Sequence, residues 1–351
     1  MSEKQNELNI LENKTNEQGL NYKLRADKTI EEELLTFMLP SNSCISGMAK
    51  ISARTLTTET PYLFKTEKQG NLQYKLKKPL DKYFKGRTFQ VFLTIVALLN
   101  KRGVQEYVIE NKSHKCLVVS YEDILSLLNR NINTCEKNAT IRKQISRAKE
   151  RFNEELDRIK NIEIERRFIG GRNETARGGI FETTSYTAGK LFVLPFTNWF
   201  IEEITQNTKA REFPIELLHP DFESCANLGY AIYYSLSAEF TTAEQEIVKN
   251  MEMATALSYC PDLPSVKDVK EKYNYRYKQE IIEPFLNRVQ QLNKINGLKI
   301  DFITDTGKEI NIYNVYNLPI EQILTLKLKT IWSGKRFLSE RQFQKVTQKD
   351  N

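Results

Sequence analysis

The stretch from Tyr275 to Tyr316 constrains this chain most, because its apolar period changes once within it, from helical to two. Ile281, Phe285, Val289 and Leu292 recur at helical spacing with Ile282 and Leu286 beside them, while Lys278, Gln279, Asn287 and Gln291 fall on other faces. After Asn296-Gly297, Leu298, Ile300 and Phe302 alternate with Lys299 and Asp301. Asp305-Thr306-Gly307 turns the chain, and Ile310 and Ile312 resume the alternation. The pattern predicts a long helix closed by a two-stranded hairpin, which is half of a winged helix. Pro284 removes a helical hydrogen bond and crowds the preceding turn, so it predicts either a kink or a first-turn position. The plainer alternative is an amphipathic helix that happens to end at a hairpin.

The same order of parts occurs earlier. Phe89, Phe92, Leu93, Val96 and Ala97 make a helix stopping before Gly103, and Leu117-Val118-Val119 reads as a strand. Ser120-Tyr121-Glu122-Asp123 is a serine cap with an acid three residues on, and Ile124, Leu127 and Leu128 bury the helix it opens. A loop from Asn129 to Asn138 leads to a long helix whose stripe is Ile141, Ile145, Ala148, Phe152, Leu156 and Ile159. Ile162 and Ile164 then alternate with Glu163 and Glu165, a glycine-rich turn spans Gly170 to Gly179, and Lys190 to Leu194 is the expected return strand. After Phe213 the set repeats: an opening helix with Leu228, Ala231, Ile232 and Leu236, the cap Ser265-Val266-Lys267-Asp268, and the helix and hairpin described first. Ile162 answers Leu298 and Ile164 answers Ile300 at one common offset, which points to two copies of one domain.

Ile281-Ile282-Glu283-Pro284, followed by Val289 and then by the apolar strand and its hairpin, resembles the second DNA-binding domain of the iteron-binding plasmid replication initiators. Arg288 stands where that family usually has a glutamate, and Leu298 lies about three residues later than the family's spacing. The resemblance implies an α+β chain of two tandem winged-helix domains with flexible N- and C-terminal tails. It implies binding to repeated duplex sites of an origin and recruitment of a host replication initiator or helicase. It also implies dimers at the protein's own promoter, so a homodimer is one arrangement to expect. A winged-helix transcriptional repressor without an initiator role is the alternative. A scaffold using winged helices for protein contacts is a third class.

The expected division is a tail over 1–26, poor in apolar residues, a first winged-helix domain with an N-terminal extension over 27–206, a second over 207–326, and a basic tail over 327–351. Within the extension, Asp27 to Leu39 is expected as a short helix, Ser41 to Pro61 as irregular, and Tyr62 to Lys77 as a hairpin around Gln69-Gly70-Asn71. Thr197 to Gln206 is expected as a helix fixing one domain against the other, and Leu318-Pro319 opens another with Ile320, Ile323 and Leu324.

Composition bears mainly on what to exclude. The chain has 52 basic and 45 acidic residues, a formal charge of +7, which is informative only where the cations cluster. Five scattered cysteines and two distant histidines make neither a disulfide framework nor a zinc site. No His-x-His accompanies a tyrosine as rolling-circle nicking would need, and no Gly-Lys pair has a phosphate loop's upstream glycine and following Ser/Thr. The expectation is a non-enzymatic protein with no cofactor and no catalytic residue. No long apolar run or signal-like start occurs, so no membrane is expected, and the reading is cytoplasmic.

Cations do cluster on the first long helix. Asn138, Thr140, Arg142, Lys143 and Ser146 are the candidates for its deeper, base-facing half, with Arg147, Lys149 and Arg151 for phosphate. On the second long helix the candidates are Asn274, Tyr275, Arg276, Lys278 and Gln279, at its approach and first turns. Lys294, Lys299 and Lys308 suit backbone contacts near the wing. A merely solvated basic face is the competing account, and Tyr273, Tyr275 and Tyr277 read equally well as packing aromatics.

Overall fold

The computed structural model describes residues 36–40, 43–51, 62–64, 71–77, 86–109, 111–128, 139–167, 175–182, 186–188, 191–205, 210–236, 246–272 and 276–333. At its centre lies the helix Gly86–Arg102, whose residues from Thr88 to Leu99 are all buried. A helix that is apolar around its circumference must be covered on every side. The long helix Ala139–Lys160, the helix Tyr121–Leu128, the tight turns of Pro220–Cys225 and the helix Ala226–Leu236 all pack on it. It stops as expected at Gly103, whose φ of +74° suits a residue without a Cβ. A single hydrophobic cluster runs from Phe37 to Trp332 through both halves of the chain.

Both predicted serine caps form. Ser120 Oγ accepts from the Asp123 N–H at 3.0 Å while the Asp123 carboxylate accepts from the Ser120 N–H at 3.3 Å. The second box repeats this with Ser265 and Asp268 at 3.1 and 3.2 Å. Each closes two otherwise orphaned donors at a helix start, and the helices Tyr121–Leu128 and Val266–Lys272 follow. Each capped helix precedes a long one, and a strand follows each long helix: Ile162–Arg167 after the first and Leu298–Ile303 after the second.

The sheets are antiparallel. In the first half Ile162–Arg167 lies between Asn71–Leu76 and Thr175–Gly179, with Tyr62–Phe64 outermost. The pairing of Tyr62–Phe64 with Asn71–Leu76 is the expected hairpin; the turn between them lies outside the described residues. A second sheet is ordered Gln105–Ile109, Lys112–Ser120, Leu191–Pro195, Tyr186–Ala188. The strand predicted to return beside Ile162 therefore pairs elsewhere, and the returning strand, Thr175–Gly179, falls inside the stretch read as a glycine-rich turn.

Other expectations are corrected by partners distant in sequence. Thr36–Pro40 is a strand, not the end of a helix, because it pairs with Ala210–Pro214, where Phe37 stacks on Phe213 at 5.6 Å. The stretch read as irregular contains the buried helix Ser43–Met48. Ile312 does not continue the wing: the Asn311 side chain accepts from the Tyr313 N–H at 3.0 Å and starts a helical turn, leaving a return strand of Glu309–Ile310. The basic tail does not begin at residue 327. Lys327–Trp332 is a strand between Ile247–Glu252 and Leu298–Ile303, with Leu328, Thr330 and Trp332 buried. The helices expected near Trp199 and Ile323 form as Asn198–Thr205 and Ile320–Thr325. The expected tail 1–26 and residues 334–351 lie outside the described residues. No helix among the described residues is long and apolar enough to cross a membrane.

Candidate nucleic-acid interface

The first long helix is anchored by its later turns and bare at its start. Ala148, Phe152, Leu156 and Ile159 are buried, and Phe152 meets Tyr121 and Phe192 edge-on at 6.2 and 5.4 Å. Buried Glu155 accepts a hydrogen bond from Thr88 of the central helix and pairs with Arg158. A buried carboxylate requires such partners, so Glu155 fixes the helix in rotation as well as position. Ile141 and Ile145, expected in the buried stripe, are only half-buried, because the helix has left the core by its first two turns.

Thr140, Arg142, Lys143, Ser146, Arg147 and Arg151 are exposed there. Among the described residues no ion pair engages Arg142, Lys143, Arg147 or Arg151. Three other candidates differ. Ser146 faces Glu150 one turn on at 3.5 Å, and Lys149 is half-buried with its ammonium 4.7 Å from the centre of the Tyr121 ring, which holds it back toward the protein. Asn138 lies outside the described residues.

The second long helix starts with a π turn, Lys278–Ile282, that passes into Glu283–Leu292 with Pro284 in the first turn of the α-helical segment. The Glu283 N–H bonds the Lys278 carbonyl and closes the π turn, and Pro284 follows where the ladder changes register, so its missing N–H coincides with that irregularity. Ile281, Ile282, Phe285, Leu286, Val289 and Leu292 are buried, as predicted. The anomalous Arg288 is buried too, and its guanidinium donates both Nη atoms to Asp262, at 2.8 and 2.6 Å. That fork ties the helix to the loop before the second serine cap, a task a glutamate at this position could not perform.

The cations near this helix are mostly engaged. Arg276 pairs with Glu280 at 3.5 Å, and Lys278 lies 5.2 Å from the Tyr316 ring. Lys294 donates to Gln291 at 2.8 Å, and Lys299 pairs with Asp301 at 2.5 Å. Gln279 is exposed, and Lys308 is exposed at the wing tip, where Gly307 has a φ of +82°. Asn274 and Tyr275 lie outside the described residues. Among the described residues, the first helix start thus carries cations without ion pairs and the second carries cations that are mostly engaged. Gln144, exposed between the first helix's cations, is a polar group the sequence reading passed over; its place between Lys143 and Ile145 is the only signal for it.

No protein-family model and no curated protein matches the chain. Solved structures do. The chain is similar to the Pi initiator protein in complex with iteron DNA, at a TM-score of 0.45 and 10% identity over 86% of this chain and 98% of that one. It is also similar to domains 2 and 3 of RctB, at a TM-score of 0.37 and 12% identity over 80% of this chain and 96% of that one. At such identities no residue role passes from either protein to this chain.

Proposed function

We propose that the chain is an origin-binding replication initiator whose two winged-helix units, with boundaries close to those read from the sequence, grip repeated duplex DNA sites and recruit host replication proteins, without covalent chemistry. The observation that carries DNA binding is the first long helix: held by its last turns, it presents Arg142, Lys143, Arg147 and Arg151 exposed and, among the described residues, free of ion pairs. Cations so placed can neutralise phosphates and release counterions, and guanidinium groups can clamp guanine edges in the major groove. The partial positive charge at the helix start adds to the attraction. Buried contact with the central helix holds the later turns in place before binding, so less free energy is spent on positioning the helix. The assignment to initiation rests on the Ile281-Ile282-Glu283-Pro284 resemblance. On the second helix Arg276, Lys278 and Gln279 are the readers, exchanging Glu280 and Tyr316 for DNA, with Lys299 and Lys308 on the backbone.

The experiment is selection of bound duplexes from genomic DNA by the purified chain, without nucleotide or metal. Repeated sites beside an AT-rich segment are expected. A lone inverted repeat at a promoter would make the chain a repressor, and absence of any duplex enrichment would refute DNA recognition.

A further inference from the structure

Polar contacts on the central helix and on the turns that pack against it lie between the two long helices, and Gln90 sits in their middle. Gln90, on the central helix, is fully buried. Its Nε2 donates to the carbonyls of Leu217 and His219, each at 2.8 Å, and its Oε1 accepts from Arg87 at 2.9 Å. Both amide N–H groups are thereby spent on the second half of the chain. Arg87 spans the same junction, donating to the Leu128 carbonyl at 3.0 Å and to the Leu218 carbonyl at 3.4 Å.

From this junction the path runs both ways. Toward the first long helix, Thr88 donates to Glu155. Toward the second, Gln291 donates to the Asp221 carbonyl at 3.1 Å, just past the carbonyls that Gln90 holds. The backbones meet too closely for any side chain at the crossing: a Cβ on Gly86 would overlap the Glu223 carbonyl oxygen. Removing the Gln90 amide leaves the buried Leu217 carbonyl without its donor and the His219 carbonyl with the Phe222 N–H alone, and a buried orphan is relieved most cheaply by letting water into the junction. Each unit would keep its own apolar contacts while their mutual setting loosened.

We propose that Gln90 is a positioning residue that fixes the rotational phase between the two duplex-reading helices, so that the chain accepts one separation between the halves of its site. The inference rests on the reading of both long helices as duplex readers. One inserted base pair turns a half-site about 35° round the axis, which a rigid pair cannot follow.

The test uses the full chain, wild type and Gln90→Ala, on duplexes carrying the selected site with no, one or two base pairs inserted between its halves. Two inserted base pairs should cost the wild type roughly a hundredfold in affinity, the loss of simultaneous engagement, and Gln90→Ala about tenfold or less. A residue that merely supports folding would lower affinity equally at every separation, and parallel profiles therefore overturn the proposal. A second readout needs no DNA: spin labels at Gln144→Cys and Gln290→Cys, in a Cys135→Ser background, should give a narrow distance distribution that Gln90→Ala widens. Equal widths overturn the proposal. Widening without duplex binding by the wild type would overturn the DNA reading and leave Gln90 an interface residue only. Should Gln90→Ala not fold, Arg87→Ala, which removes the half-buried donors to the Leu128 and Leu218 carbonyls and to the Gln90 amide oxygen, carries both comparisons with the same flattening and widening expected; a profile parallel to the wild type's with an unchanged width would refute the role.

Discussion

Removing Asp262 should expose how the second long helix is held. The carboxylate takes both Nη atoms of Arg288 at 2.8 and 2.6 Å, and the two side chains differ in exposure, 7% for Arg288 against 52% for Asp262. Deleting one partner of a fully buried pair costs about 3–5 kcal/mol, because the other charge is left without compensation. Here water reaches the carboxylate side and can replace part of what is lost, so the expected cost of Asp262→Ala is about 2 kcal/mol, in the range for lost charge-assisted hydrogen bonds. The decisive variant is the double one. Arg288→Met in the Asp262→Ala background removes the stranded charge while keeping an unbranched side chain, and should return stability to within about 1 kcal/mol of wild type. Urea unfolding followed by far-UV circular dichroism measures both. The reasoning fails if Asp262→Ala lies within about 0.5 kcal/mol of wild type, or if the double variant is no more stable than Asp262→Ala alone.

Other outcomes are as definite. Arg142→Ala and Arg147→Ala should each weaken duplex binding and lower the slope of log affinity against log salt by about 1, read from a salt titration; unchanged affinity would make the helix start a solvated face. Ser120→Ala, which removes the acceptor of the Asp123 N–H, should cost about 1 kcal/mol in denaturant unfolding. Burial pushes the Cys225 thiol up to about 12 and the Cys260 thiol up to about 11, so neither should react with Ellman's reagent at pH 8 until the chain is unfolded. Unfolded thiols ionise near pH ~8.5. The stability gained by keeping these two neutral is therefore complete below that pH and lost as pH rises toward 11 to 12, which a falling denaturation midpoint over that window would record.

Features set by neighbouring residues were legible in the sequence. The two serine caps, the stop at Gly103 and the long helices depend on contacts within four residues, and all form where the pattern placed them. Pairings between remote strands were not, even where the strands themselves were, as with Leu117 and Leu194. Thr36–Pro40 owes its conformation to Ala210–Pro214, and nothing around Phe37 announces that partner. Lys327–Trp332 was misread for a different reason: its lysines count as a basic tail, yet Leu328, Thr330 and Trp332 alternate with them and fill the space between two strands. The period-two signal was present and charge obscured it. At the interface, sequence located the cluster of cations but not which are free. Lys149 was assigned to phosphate and instead covers Tyr121, a residue 28 positions away that the helix packing brings beneath it. Gln90 carried no legible signal, since its task is defined only by the carbonyls of Leu217 and His219.

If one chain carries two duplex readers, a footprint made with protein shown to be monomeric records both at once. Two readers on one side of a duplex meet groove exposures about 10 to 10.5 base pairs apart, so the monomer should protect roughly two turns. Arg142→Ala should lose contacts at one end of the protected stretch and Arg276→Ala at the other. Protection of about one turn, with footprint and affinity untouched by Arg276→Ala, would contradict the account by showing that the second long helix does not read DNA.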